Sequence, residues 1–183
     1  HELVPVSEKL MEAGIELVLV DSELNKPLAS SLIATNNYAA GQKAGREIMQ
    51  HLEPNGKVAL VSFVKKAASA IDREAGTRDY LSQYPELTVL ETIYSDGEED
   101  IAYNMVRELL RQHPDVTGIV GLNEPSGVGA AKAVRDSGMA GQVKLVCFDN
   151  CTEEIMLMEE GISQALIVQK PFKMGYLAMK TPS

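Results

Sequence analysis

Polar side chains stand where the short apolar runs of this chain end: Asp21-Ser22, Thr35-Asn36-Asn37, Lys65-Lys66, Asn123-Glu124, Asp149-Asn150 and Gln169. Arg73 follows shortly after the Lys65-Lys66 exit. If the runs are parallel strands, one rim collects carboxylates, amides, a hydroxyl and a guanidinium. Planar groups that hydrogen-bond on two sides match vicinal hydroxyls, each of which donates and accepts. The ligand chemistry this implies is a polyol or sugar. Each residue also has a plain structural use. Asp149 is a cap for the helix that follows, Asn123 closes a tight turn, Arg73 is a solvated helix charge and Gln169 belongs to a linker. The agreement of several strand exits carries the binding reading, since no single residue does.

The elements that must position these groups follow from periodicity. The stretch Val143 to Asn150 is a short apolar run bounded by Gly141 and stopped by Asp149-Asn150, which reads as a buried strand over 143–148. Further strands are expected over 15–20, 29–34, 57–63, 87–94, 116–122 and 163–169. Helices are expected over 3–13, 38–52, 70–84, 101–112, 127–137, 152–160 and 172–180. Ser126 is the expected N-cap of the 127–137 helix, and Gly14, Gly138 and Gly161 stop their helices. The acidic turn at 95–100 suits a helix N-terminus. Gly118 and Gly121 give room for close packing in and at the end of a strand. Strand and helix alternate at intervals of about 30 residues, which predicts an α/β fold with a parallel sheet flanked by helices on both faces.

The chain has 183 residues, 45% hydrophobic and 23% charged, an ordinary composition for a globular core. A net charge of -9 argues against a nucleic-acid surface on this fragment. The two cysteines form no disulfide framework: Cys147 reads as a buried small hydrophobe and Cys151 as a helix-start residue. No metal or cofactor is expected. His51 and His113 lack an acid–nucleophile partnership, and there is no nucleophile elbow, P-loop or dinucleotide fingerprint, so a catalytic role is not expected. His1 and Ser183 read as lying in or beside helices, so both ends look cut.

In order along the chain come Arg73-x-x-Gly76, Leu109 to Asp115 (LLRQHPD), Asn123-Glu124, Gly129 to Ala133 (GAAKA), Phe148-Asp149-Asn150, Gly161 and Val168-Gln169-Lys170-Pro171. This combination resembles the type I periplasmic binding proteins, ribose/galactose-type branch, over essentially the whole chain. The resemblance implies two α/β lobes joined by crossing segments, a sugar held in a cleft between them, and lobe closure that signals to the membrane subunits of an ABC transporter. It implies a remnant of the N-terminal lobe over 1–35, a C-terminal lobe over 36–169 and a return segment over 170–183. It assigns ligand contacts to Arg73, Asn123, Asp149 and Gln169, with Asp21 on the N-terminal lobe and Thr35 at the first crossing. It places the protein in the periplasm or anchored at the cell surface.

The chain departs from the ribose pattern at three places: Ser22 follows Asp21 where an Arg is usual, Gly97 stands where an aromatic platform is expected, and Glu124 follows Asn123 in place of Asp. With Lys65 and Lys66 near the rim, these changes point away from ribose itself, toward a differently decorated or partly anionic ligand. The alternative with the same fold is the effector core of a lac-repressor-family regulator. A sensor domain of a membrane receptor kinase is a third reading.

Overall fold

The computed structural model describes residues 3–180. The expectation that His1 and Ser183 lie in or beside helices falls outside them. In chain order the elements are α1 (Val4–Glu12), β1 (Val18–Val20), β2 (Ser31–Ile33), α2 (Asn37–Met49), β3 (Lys57–Ser62), α3 (Ala68–Leu81), β4 (Thr88–Val89), β5 (Ile93–Tyr94), α4 (Glu99–Gln112), β6 (Gly118–Gly121), α5 (Glu124–Asp136), β7 (Lys144–Phe148), α6 (Thr152–Glu159), β8 (Ala165–Ile167) and α7 (Pro171–Lys180). They pack as two compact units. One is Asn37–Val168; the other comprises the described parts of 1–36 and 169–183.

In the larger unit the strands lie in the order β4-β3-β6-β7-β8, with β5 also paired to β3, and every pairing is parallel. Side chains on successive strand residues point to opposite faces, and the core divides accordingly. Ala59, Val61, Ile119, Leu145 and Cys147 pack with Ala102 and Val106 of α4, Val128 and Val134 of α5 and Leu157 of α6. Val58, Leu60, Val120, Leu122, Val146, Phe148 and Ile167 pack with Ala44 and Ile48 of α2 and Leu81 of α3. Helices therefore cover both faces, which is why β3, β6 and β7 read as unbroken apolar runs rather than alternating ones.

Two expectations change. The strand expected over 87–94 divides into β4 and β5. Between the pairs Val58↔Val89 and Val61↔Ile93, three residues of the outer strand oppose two of β3, which is a bulge. Arg78 of α3 holds the bulged segment by donating to Leu90 O at 2.9 Å and to Thr92 Oγ1 at 2.7 Å. The second change concerns α5, which starts at Glu124 with Asn123, not Ser126, as its N-cap. Asn123 Oδ1 accepts from Ser126 N at 3.2 Å, while the Ser126 hydroxyl is buried against Ser95 Oγ at 3.1 Å. At the acidic turn, Glu99 and Asp100 do occupy the first turn of α4, but the N-cap Glu98 makes no side-chain cap bond.

In the smaller unit β1 and β2 pair in parallel, with Val20 opposite Ile33, and α7 packs against both strands.

Candidate ligand-binding site

Arg73 sits in the first half of α3, and its position is set by contact between α3 and α2. A Cβ on Gly41 would lie 2.2 Å from Arg73 O, and one on Gly76 would lie 2.0 Å from Tyr38 O. Only glycine allows the two backbones this close. Thr77 Oγ1 then hydrogen-bonds Gly41 O at 3.1 Å, which ties the helices at the crossing. The motif residue Gly76 is thus a packing residue that brings Arg73 to the sheet.

The Arg73 side chain is buried, 4% exposed, so it is not the solvated charge that a lone helix Arg usually is. Its Nε donates to Asn37 Oδ1 at 2.9 Å and its Nη1 to Leu122 O at 2.8 Å. Its Cζ lies 4.5 Å from the Phe148 ring centroid and 6.0 Å from that of Phe63. A guanidinium over an aromatic face gains electrostatic attraction while keeping its in-plane N–H groups for hydrogen bonds. Leu122 precedes Asn123 and Phe148 precedes Asp149, so Arg73 joins the exits of β6 and β7. The last β6–β7 pair is Gly121↔Cys147, and Asn123 and Asp149 each follow it by two residues. Arg73 thus sits where β6 and β7 end, the two strands that lead into Asn123 and Asp149.

Asp149 leaves β7 with φ 75, a left-handed turn that Asp tolerates better than most side chains. Its N–H still donates to Ile167 O at 3.0 Å. It does not cap α6: that cap is Cys151, whose Sγ accepts from Glu154 N at 3.4 Å. Asn123 does have structural work as the α5 cap, performed by its Oδ1, and its amide nitrogen carries two further donors. Lys65 stands over Tyr94, its Nζ 5.4 Å from the ring centroid. Gly97 has φ 84 and open space where a side chain would project.

In the smaller unit, Asp21 exits β1 with φ 72, and its N–H donates to Ile33 O at 2.9 Å. It stays exposed. That bond puts it next to the β2 exit, which leads to Thr35. Thr35 Oγ1 donates to Gln169 Oε1 at 2.9 Å. Gln169 is thus tied across sequence to Thr35 rather than lying in a loose linker.

The sequence reading did not find the stack of Arg73 on Phe148, because Phe148 reads as one more core residue of an apolar strand. It also missed Glu154, 1% exposed, with neither carboxylate oxygen hydrogen-bonded among the described residues. Burial first, and then the nearby charges of Asp149 and Glu124, push its carboxyl up to about 8. On α3, burial alone would raise Glu74, yet hydrogen bonds from Thr92, Tyr94 and Arg78 hold its carboxyl below the ordinary value.

Residues 1–181 match the periplasmic binding protein domain family. The chain is 25% identical over 185 residues to the D-ribose/D-allose-binding protein of Pseudomonas aeruginosa, covering 98% of this chain and 58% of that one. It is 29% identical over 146 residues to the D-apiose import binding protein of Paraburkholderia graminis, covering 79% of this chain and 46% of the relative. Among solved structures, an ABC transporter solute binding protein from Agrobacterium vitis with bound D-fucose superposes with a TM-score of 0.91 at 32% identity, covering 98% of this chain and 63% of that one. The chain therefore spans about half to two thirds of the length of these proteins. They lend no support to the regulator alternative. By the family match over nearly its whole length and by its fold, this chain belongs to the periplasmic binding protein domain family, one of binding receptors rather than enzymes.

Proposed function

We propose that this chain is the greater part of a sugar-binding receptor of an ABC transporter, acting outside the cytoplasm. Residues 36–169 are its C-terminal lobe, and residues 1–35 and 170–183 belong to the other lobe. Arg73, Asn123, Asp149 and Gln169 grip the hydroxyl groups of a monosaccharide-like ligand from the first lobe; Asp21 contributes from the second, and Thr35 from the crossing between them. The observation that carries the reading is the buried Arg73 guanidinium, oriented by Asn37 and Leu122 O between the two strand exits that bear Asn123 and Asp149.

Ligand contact with two lobes favours the closed state because only that state makes both sets of contacts, and this differential affinity shifts the population. Transporter membrane subunits then read closure. No described helix is long and apolar enough to cross a membrane. The test is a nuclear magnetic resonance titration of the chain with aldoses, ketoses and polyols at up to millimolar concentration, where weak binding still registers. The Asn123 and Asp149 amides and the Arg73 Nε–H are expected to shift with at least one sugar. A panel that leaves all three unmoved contradicts the proposal.

A further inference from the structure

Behind the strand exits lies a cluster that sugar binding does not use. One donor atom each from Glu124, Cys151 and Glu154 lie within 4.8 Å of one another. Glu124 begins α5 and is exposed, Cys151 caps α6 and is half-buried, and Glu154 is in the first turn of α6 and buried. A Glu three residues after an N-cap usually folds back onto the cap's backbone N–H. Glu154 turns toward the Cys151 N–H, which draws its carboxyl down against burial, but neither of its enclosed oxygens makes a well-formed hydrogen bond among the described residues. An unpaired buried carboxyl is costly and asks for a partner. The chain also makes room for it. A Cβ on Gly127 would lie 2.8 Å from Glu154 Oε1, so any side chain at that point of α5 would displace the carboxyl.

We propose that Glu124, Cys151 and Glu154 form a binding site for a divalent cation of the zinc class. Two carboxylates and a sulfur are three protein ligands, leaving a fourth position for water. The sulfur selects a borderline metal over calcium or magnesium, which take oxygen ligands, and a coordinating thiol gives up its proton to the ion. Donors around a tetrahedral ion stand roughly 3.5 Å apart, so the present spacing closes with small side-chain rotations. The exposed Glu124 provides the entry path. The ion would tie the β6–α5 turn to the β7–α6 turn. The site does not depend on the sugar reading.

The test is zinc titration of the metal-stripped chain by calorimetry and thermal unfolding, beside Glu154→Gln and Cys151→Ser. Both substitutions preserve the fold: Gln keeps the shape of Glu, and Ser is a better N-cap than Cys. The expected result is one zinc per chain, a Tm rise of about 5 °C or more near saturation, and affinity lowered about tenfold or more in each variant. Cobalt should give a thiolate charge-transfer absorption that Cys151→Ser lacks. No zinc binding, zinc binding equal in the variants (as surface histidines would give), or calcium binding indifferent to Cys151→Ser would overturn the assignment.

Discussion

The guanidinium carbon of Arg73 rests 4.5 Å from the centre of the Phe148 ring. A residue on α3 is thereby fixed to the last residue of β7, one position before Asp149. The stack spends the face of the guanidinium on the ring and leaves its edge for hydrogen bonds, two of which go to Asn37 and Leu122. Replacing Arg73 with Lys removes the fork and the flat face together. Arg73→Lys is expected to lower sugar affinity about tenfold to a hundredfold and to destabilise the chain by about 1–3 kcal/mol, through the Asn37 and Leu122 acceptors left unpaired. Calorimetry and urea denaturation report the two effects separately.

The helix crossing that delivers Arg73 is equally specific. Gly76→Ala puts a methyl 2.0 Å from the Tyr38 carbonyl oxygen, a backbone atom that moves only if α2 moves. A loss of about 2–3 kcal/mol is expected from overpacking, with a matching fall in the urea midpoint. A midpoint unchanged from wild type contradicts the close crossing.

Asn123 caps α5, and substitution can separate that use from the proposed sugar contact. Asn123→Ser keeps a good cap for α5 but removes the amide, so stability should change by a few tenths of a kcal/mol while sugar affinity falls about tenfold. Asn123→Ala should lose both, with about 1 kcal/mol of stability gone. If Asn123→Ser binds sugar like wild type, Asn123 is a cap alone.

Glu74 predicts a pH dependence. Hydrogen bonds from Thr92, Tyr94 and Arg78 hold its folded-state carboxyl below the ordinary value against the opposing effect of burial. A depressed acid contributes stability above its unfolded-state pKa of about 4.3, and the contribution is lost as pH falls through the folded-state value. Glu74→Gln should therefore cost about 1–2 kcal/mol at neutral pH, and the gap to wild type should narrow in unfolding experiments as pH drops below about 4. A gap that stays constant or widens with acid contradicts the network.

Element order and the parallel α/β class were legible in the sequence because two-sided burial leaves continuous apolar runs, as in Leu145 to Phe148, separated by helical spacing. The break between Val89 and Ile93 was not, since the bonds that hold it come from Arg78, on a helix distant in sequence. Asn123 and Ser126 are both good caps, and only the path of the chain decides between them. Strand exits revealed the polar groups, yet the aromatic face beneath Arg73 was hidden within a strand whose residues all read as core. Glu154 reads as an exposed first-turn acid, because the space that buries it is the side chain Gly127 lacks on another helix.

The most direct measurement compares wild type with Asp149→Asn by calorimetry, using the sugar that shifts the Asn123 and Asp149 resonances most. Asn keeps the size and tolerates the left-handed turn at φ 75, but carries no negative charge. The account predicts affinity lowered about tenfold or more with thermal stability nearly unchanged. Equal affinity in the two proteins would contradict it.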